Sequence, residues 1–204
     1  MVSIRIRKVS KRSLAGLQQP FEYDSDSHYK VTTQKTGDGW AINLNRRPFQ
    51  KTFKKREVWP LVIFYKGSSE IYVAERGKKR CGVIQFEFEA WHKTVRIWDL
   101  YVSRDCHRTG VGSALMEKCK ERARALGARR IILETQTSNS NAIDFYLDQG
   151  FDLVGMDLTN YTNEDAARNE VRLEMAYHIG NSKPAPSKNV ENGKARTPKH
   201  RAKR

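Results

Sequence analysis

The sequence has little of what holds small secreted proteins together or anchors proteins in membranes. It contains three cysteines, Cys81, Cys106 and Cys119, an odd number without C-x-x-C spacing, so no disulfide framework is predicted. Its longest uninterrupted apolar run is residues 61–65, whereas a membrane-spanning helix needs roughly 18 such residues. The first residues lack the apolar segment of a secretory signal. We therefore expect a reduced, cytoplasmic protein without a membrane segment.

Metal-ligand patterns are also missing, because no group of His and Cys residues has metal-ligand spacing and His92 and His107 stand alone as histidines, so no metal site is predicted. Apolar and aromatic residues, in contrast, are plentiful. Hydrophobic residues make up 38% of the 204 residues, including eight Phe, eight Tyr and four Trp, which excludes a wholly disordered chain. The length suits one domain of roughly 100–200 residues with a tail.

Positive charge is in excess, with 38 Lys and Arg against 23 Asp and Glu, a formal net charge of +15. Residues 183–204 carry +7 of this charge, three prolines and almost no apolar residues. Such a segment buries too little surface to offset the entropy of ordering. We predict a domain over residues 1–180 and a disordered basic tail over 181–204. Basic runs at 5–12 and 46–56 are either solvated surface or contacts for an anionic partner such as RNA or a membrane surface.

Hydrophobic periodicity indicates alternating strands and helices from residue 70 onward. Val111, Leu115, Cys119 and Ala123 form one helical stripe that ends before Gly127, and a second helix is predicted over 141–149. Residues 10–60 are interrupted by Asp, Ser, Gly and Pro, and only 39–44 indicates a short strand there. The resulting order predicts an α/β domain with a mixed sheet. Further strands are predicted at 2–9, 71–74, 81–89, 94–102, 130–135, 151–154 and 170–177.

The loop between strand 94–102 and the first helix contains Gly110 and Gly112. Glycines at a helix N-terminus let the backbone approach a ligand, and the free first-turn N–H groups with the helix dipole favour phosphate or pyrophosphate. His107 and Arg108 add charge beside them. The dinucleotide-binding and P-loop fingerprints are both incomplete, since Leu115 occupies the third glycine position and Gly112-Ser-Ala lacks the lysine. The alternative is that these glycines only permit a tight turn.

A second motif follows downstream, N-x-x-A-x-x-F-Y-x-x-x-G-F over residues 139–151. Together with Leu100-Tyr-Val and the H-x-x-G-x-G of 107–112, it resembles the GNAT superfamily of N-acetyltransferases over roughly residues 70–177. The likeness is greatest to streptothricin acetyltransferases, which share Glu134-Thr-Gln, the strand pattern Asp99-Leu-x-Val and the segment Pro20-Phe-Glu. This resemblance implies a GNAT-like fold, a central, mostly antiparallel twisted sheet flanked by helices.

The resemblance also implies acetyl-CoA as cosubstrate and a role for each motif. Backbone groups of Leu100, Tyr101 and Val102 would pair with the pantetheine arm as an added strand and polarise the thioester carbonyl. Asn139 would bond the cofactor arm and Tyr146 would protonate the departing thiolate. Their alternatives are a helix N-cap for Asn139 and a core aromatic for Tyr146. The pyrophosphate would be held by the glycine loop, which comprises His107, where the family usually has Gln or Arg, and Arg108, Thr109, Gly110, Val111, Gly112 and Ser113.

Acetyl transfer to an amine requires removal of a proton, because a lysine-like amine with a pKa of about 10.4 is almost fully protonated at pH 7. Asp99, on the strand that would lie along the acetyl group, is the leading base. Glu87, Glu89 and Glu134 compete with it, as does water. The alternative for Asp99 is an acid that only binds the cationic substrate, or a surface residue of the strand.

The resemblance favours an acetyl-CoA-dependent N-acetyltransferase that modifies a primary amine of a small cationic acceptor. Streptothricin, through its β-lysine amine, is the favoured acceptor, and antibiotic resistance would follow. The alternatives are acetylation of a protein lysine or N-terminus, ribosomal proteins included, and a non-catalytic RNA- or ribosome-binding module. Weak contact of the basic tail with RNA or the ribosome is a further expectation. No pattern specifies the oligomeric state, although homodimers are frequent among GNAT proteins.

Overall fold

The computed structural model describes residues 3–60 and 69–180, and these contain nine strands and three α-helices. The apolar run 61–65 and the predicted tail 181–204 lie outside the described residues. The helices are α1 (Val111–Ala125), α2 (Ser140–Asp148) and the single turn α3 (Asp165–Arg168). The strands are β1 (Ile4–Val9), β2 (Gln18–Thr36), β3 (Gly39–Pro60), β4 (Glu70–Arg76), β5 (Lys79–Glu89), β6 (Thr94–Val102), β7 (Arg130–Gln136), β8 (Asp152–Asp157) and β9 (Arg172–His178).

Seven of the strands form one sheet in the order β1-β4-β5-β6-β7-β9-β8. Every neighbouring pair is antiparallel except β6 and β7, which α1 connects as a parallel crossover. The sheet confirms the predicted mixed, mostly antiparallel fold. The strands and helices predicted after residue 70 agree with those observed, with shifts of a few residues at their ends.

The predicted helical stripe of α1 packs on the sheet. Val111, Leu115, Cys119 and Ala123 are all buried in one core together with Ile84 of β5. Spacing of four residues places them on one face of the helix, and side chains of that face fill the space over β5 and β6. This packing fixes the N-terminus of α1 beside the end of β6.

Strands β6 and β7 separate soon after they meet. Their parallel pairing covers only Thr94–Arg130, Val95–Ile131 and Arg96–Ile132, and the described residues of the two strands pair no further. On its other edge β6 stays paired to β5, but the register shifts so that Trp98 is an extra residue between the pairs Phe86–Ile97 and Gln85–Asp99. A bulge of this kind bends the strand and increases its twist. The second half of β6 therefore borders an open gap in the sheet.

Residues 18–60 depart most from the prediction. In place of one short strand at 39–44 in a largely irregular region, β2 and β3 form a long antiparallel hairpin from Gln18–Pro60 to Thr36–Gly39. A register shift between Ser25 and Ser27 interrupts it. The hairpin forms a separate two-stranded sheet. Its root, which comprises residues 19–24 of β2 and 55–59 of β3, lies across the gap between β6 and β7. Prolines, the bulge and many polar side chains obscured the alternation that a strand normally shows.

Gly82 of β5 allows the close approach of β6 and α1. A Cβ at this position would lie 2.7 Å from the carbonyl oxygen of Tyr101 and 3.1 Å from Leu115 Cδ1. We expect Gly82→Ala to lower the free energy of unfolding by about 2 kcal/mol, because backbone atoms would have to shift. Chemical denaturation measures the change. Gly39→Ala is the control, since its nearest atom would lie at an ordinary 3.9 Å; equal stability of the two variants would contradict this account.

Candidate active site

A deep cleft of about 1340 Å³ lies where β6 and β7 diverge. The second half of β6 borders it, and the root of the β2–β3 hairpin covers it. The N-termini of α1 and α2 contribute to the lining, as do the end of β7 and the segment 161–172. We call the part beside the α1 N-terminus the anion end. The part lined by the hairpin root, Asp99, Glu134 and the segment 161–172 we call the acceptor end.

The anion end is built from backbone rather than from side chains. Gly110, the N-cap of α1, has φ of +84° and offers no side-chain cap, and Arg108 is also left-handed with φ of +58°. The first intrahelical bond runs from Ala114 N to Gly110 O, so the amides that precede Ala114 at the start of α1 lack an intrahelical partner. Left-handed residues next to a helix N-terminus form a concave group of N–H donors suited to an anion.

Gly112 keeps this end of the cleft open. A Cβ there would lie 3.3 Å from Phe145 Cζ and 3.7 Å from Val102 Cγ2, so a side chain would fill the space between α1, α2 and β6. The His107 ring lies across the same region, where its Nε2–H donates to the carbonyl oxygen of Val102 at 2.9 Å. Gly112 therefore has a steric reason to be glycine beyond the tight turn.

The hairpin root is tied to both walls of the cleft. Tyr23 Oη donates to Gln136 Oε1 at 3.0 Å and lies 2.8 Å from Ser138 Oγ, and burial raises the pKa of Tyr23 to about 12. Asp24 accepts a hydrogen bond from Arg104 Nη2 at 3.0 Å, and its carbonyl oxygen accepts one from Asn141 Nδ2 at 2.8 Å. These contacts join β2 to the β6–α1 loop and to α2, so the hairpin spans the cleft as a bridge.

Asp99 carries an uncompensated carboxylate at the acceptor end. It lines the cleft, and its Oδ2 is buried without a hydrogen-bond partner among the described residues. Burial raises the pKa of Asp99 to about 6, and no described cation forms an ion pair with it. At pH 7 the carboxylate is therefore mostly ionised but far more basic than an ordinary aspartate, as a proton acceptor requires.

Tyr146 and Asn139 come from α2 and both line the cleft. Tyr146 packs against Phe145 and Phe151, and burial raises its pKa to about 12, so the phenol keeps its proton. Asn139 is the N-cap of α2, and its Oδ1 accepts from Ala142 N at 3.2 Å. The cap uses the side-chain oxygen, which leaves Nδ2 as the donor for any bond to a cofactor.

The cleft brings together most of the residues that the sequence singled out. Glu134 is among them, but Arg172 Nε pairs with it at 3.0 Å and Tyr161 Oη donates to it.

Four of the predicted site residues do not line the cleft. Thr109 bonds the Cys106 carbonyl at 2.7 Å, and the Val111 side chain is buried in the core. Glu87 is absent from the lining, and Glu89 is held by Arg96 at 3.2 Å and His92 at 3.1 Å. The remaining predicted residues in the lining are Leu100, Tyr101, Val102, His107, Arg108, Gly110, Gly112 and Ser113.

The sequence did not indicate the hairpin's contribution to the cleft. Phe21 and Tyr23 of β2 face inward together with Lys55, Glu57 and Trp59 of β3. The spacing of two residues between Phe21 and Tyr23 was the one local signal, because the inward residues Lys55 and Glu57 of β3 are charged and show no apolar alternation. The hairpin's approach to β7 and α2 spans more than a hundred residues of chain, which no local pattern predicts.

Fold and cleft together define a class of α/β domains in which a mixed sheet splits beside a glycine-rich helix N-terminus. Residues 41–151 match the model of the family described as Acetyltransferase (GNAT) family. The chain belongs to the GNAT family of acetyltransferases.

Curated relatives and solved structures give narrower similarities. The chain is 33% identical over 87 residues to streptothricin acetyltransferase A of Bacillus subtilis (strain 168) and 34% identical over 90 residues to streptothricin acetyltransferase of Escherichia coli. These matches cover 43% and 44% of this chain and 50% and 52% of the relatives, so the chain spans about half of their length.

Among solved structures, a nourseothricin acetyltransferase superposes with a TM-score of 0.68 at 27% identity, covering 86% of this chain and 98% of that one. A Bacillus anthracis str. Ames protein, provisionally named a streptothricin acetyltransferase and solved in complex with acetyl coenzyme A, has a TM-score of 0.69 at 22% identity. That match covers 88% of this chain and 99% of that one, and it shows the shared fold.

Residues 3–60 and 69–180 contain no group of three or more His, Cys, Asp and Glu side chains arranged to hold a metal ion. No helix in the described part of the chain has the length and apolar character needed to span a membrane.

The pKa of Asp99 predicts how stability changes with pH. Its folded pKa of about 6 lies above the unfolded value of about 3.9, so the native state binds more protons between these pH values. Asp99 should therefore lower the free energy of unfolding by about 2 kcal/mol as pH rises from 4 to 7. We expect Asp99→Asn to remove this loss. The gain in free energy of unfolding of the variant over the parent should therefore be larger at pH 7 than at pH 4. Denaturant titrations at both pH values measure the difference, and a pH-independent difference would contradict the assignment.

Proposed function

We propose that the protein is an acetyl-CoA-dependent N-acetyltransferase that acts on a primary amine of a small cationic acceptor, and that streptothricin is this acceptor. The observation that carries the proposal is one cleft with an anion-binding backbone at one end and an unpaired, buried carboxylate of raised pKa at the other. Such a cleft suits a phosphate-bearing donor and an ammonium-bearing acceptor together. Resistance to the antibiotic would follow.

The residues of the anion end fit acetyl-CoA. Gly110, Gly112 and Ser113 would hold the pyrophosphate through backbone N–H groups, supported by Arg104, His107 and Arg108 at the rim. Backbone groups of β6 from Leu100 to Val102 face the gap that β7 leaves open and would pair with the pantetheine arm. The His107 ring would have to release the carbonyl oxygen of Val102 for that oxygen to bond the arm.

When bound, acetyl-CoA would supply an acetyl thioester. The amine nitrogen would form a C–N bond to the acetyl carbon as the C–S bond breaks, and the net reaction of the free amine moves one proton from nitrogen to sulfur. Asp99 would accept the proton from the ammonium group. The carboxylate also stabilises the cation before the reaction, because it has no other charged partner among the described residues. Tyr146, whose raised pKa keeps the phenol neutral, would donate its hydroxyl proton to the departing sulfur and regain a proton from the nitrogen, which loses its second proton as the amide forms.

Streptothricin as acceptor is supported by the names of the curated relatives and of the nourseothricin acetyltransferase structure. The site adds a physical reason, because Asp99 at the acceptor end has no cationic partner among the described residues, although the chain as a whole carries +15. A cationic acceptor would be attracted locally there. Streptothricin offers primary amines on its β-lysine.

The direct test is release of free CoA thiol from acetyl-CoA in the presence of streptothricin. With Asp99 as base, kcat/KM should fall about tenfold per pH unit below about 6 and be level from there towards the pKa of the amine. Asp99→Asn should lower kcat/KM at pH 7 by about 10²-fold or more. In that variant the rate should also keep rising with pH, since free amine must then come from solution. No thiol release by the parent would refute the proposed acceptor, and a level profile in Asp99→Asn would remove Asp99 as base.

The role of Tyr146 is tested by Tyr146→Phe, which removes one hydroxyl and keeps the ring that packs on Phe145 and Phe151. We expect kcat to fall by about 10²-fold while the KM for acetyl-CoA changes little, because the hydroxyl acts on the departing sulfur and not on the phosphates. Tyr72→Phe, in the sheet away from the cleft, is the matched control. Unchanged turnover of Tyr146→Phe would exclude the tyrosine as proton donor.

A further inference from the structure

The root of the hairpin presents one continuous face to the acceptor end of the cleft. In β2 and β3, Gln19 pairs with Trp59 and Phe21 with Glu57, and directly opposed residues of an antiparallel pair lie on the same face. All four residues line the cleft, as do Pro20, Glu22 and Arg56 of the other face, and the ring centres of Phe21 and Trp59 lie 5.5 Å apart. Val58, which points to the other face, is 68% exposed. We call Gln19, Phe21, Glu57 and Trp59 the root face.

Negative charge on the root face is only partly neutralised. The ammonium of Lys55 is shared by two carboxylates, Glu57 at 3.1 Å and Glu170 at 2.8 Å. Burial alone would lower the pKa of Lys55, but the hydrogen bonds to Glu170 and Glu57 outweigh it and the pKa is raised. One negative charge remains in excess. Glu57 is the more accessible of the two carboxylates, with 38% of its side chain exposed against 16% for Glu170.

Two further features of the root face suit a cation rather than a structural ion pair alone. Trp59 Nε1 donates to Glu57 Oε2 at 2.7 Å, which fixes the carboxylate beside the indole. The edge of the Trp59 indole therefore contacts the carboxylate, and the tilted Phe21 ring lies 5.5 Å from the indole, centre to centre, so two aromatic rings stand near one negative charge. Aromatic rings of this kind attract ammonium groups through their faces. A carboxylate with flanking aromatic rings is a common way to bind an organic cation.

Gln19 gives an independent indication that this face receives a ligand. The residue is 5% exposed, and its Oε1 is buried without a hydrogen-bond partner among the described residues. An unsatisfied buried amide oxygen costs about 1–3 kcal/mol, so a native structure retains one where something else satisfies it. An N–H donor of a bound ligand would do so, and Gln19 already lines the cleft through which that ligand would enter.

We propose that the root face is a second acceptor subsite, which binds a positively charged group of the acceptor other than the amine that reacts. The proposal rests on the proposed function and narrows it, since the acceptor must then carry at least two cationic groups. β-Lysine meets this condition because it has two amino groups. One would lie at Asp99 while the other, or another cation of the molecule, lies at Glu57. The subsite makes no covalent bond and transfers no proton.

Glu57→Gln tests the subsite because it removes the excess charge while keeping an acceptor for Trp59. We expect the KM for streptothricin to rise about tenfold, with kcat and the KM for acetyl-CoA within about twofold of the parent. The salt dependence of kcat/KM should become shallower, a change that a structural defect would not produce. Asp26→Asn is the matched control, since it removes one negative charge from the same hairpin at a side chain held by Thr52 that does not line the cleft.

Glu170→Gln is the second variant, in case Glu57→Gln alters the hairpin. It lies outside the hairpin, removes the same excess charge and should produce the same rise in KM. If the parent releases thiol with streptothricin and both variants match Asp26→Asn in KM and salt dependence, the subsite is refuted while the proposed function stands. If the parent releases no thiol with streptothricin, the proposed function fails and the subsite fails with it.

Discussion

The divergence of β6 from β7 after three paired residues creates the cleft in which the candidate site residues lie. A parallel pair that continued to the strand ends would close the sheet, and neither a backbone edge nor a cleft would exist. The extra residue at Trp98 bends β6 away while its pairing with β5 continues on the other edge. Gly82 lets β5 and α1 stay close to the bent strand, because any larger residue would meet the Tyr101 carbonyl oxygen.

The proposed reaction sets a second constraint, because it requires proton transfer, and Asp99 and Tyr146 meet this requirement in different ways. Presenting a lysine-like amine as free base at pH 7 costs about 4.6 kcal/mol, which is the difference between a pKa near 10.4 and the ambient pH. A carboxylate whose pKa is about 6 accepts that proton more readily than an ordinary aspartate. Tyr146, with a pKa of about 12, stays protonated and is restricted to donation. Burial raises both pKa values, which suits the carboxylate to its proposed role as base and the phenol to its proposed role as proton donor.

Sequence patterns predicted those features of the structure that lie within a single helix or strand or at its ends. The α1 stripe, Gly110, Gly112 and the Asn139 to Phe151 motif lie within single elements or at their ends, where periodicity and glycine carry information. The prediction that Glu87 and Glu89 face the acceptor depended instead on how β5 is placed, and both lie outside the cleft lining. The hairpin was missed for a related reason. Its inward face is defined by partners far away in sequence, such as Gln136 and Ser138 for Tyr23.

The net charge of +15 has the opposite sign to the unpaired carboxylate of Asp99 at the acceptor end, and this local charge is what the proposed cationic acceptor would meet. At the anion end, Arg104 and Arg108 add to free backbone N–H groups. At the acceptor end, Asp99 has no cationic partner among the described residues, and Glu57 and Glu170 share one lysine. Charges inside a partly enclosed cleft are screened less than those on the outer surface, so nearby pairs decide what enters. Residues beyond 182 contribute +7 of the net +15 and therefore say little about the acceptor, whereas the carboxylates of Asp99, Glu57 and Glu170 line the cleft that the proposed acceptor would enter.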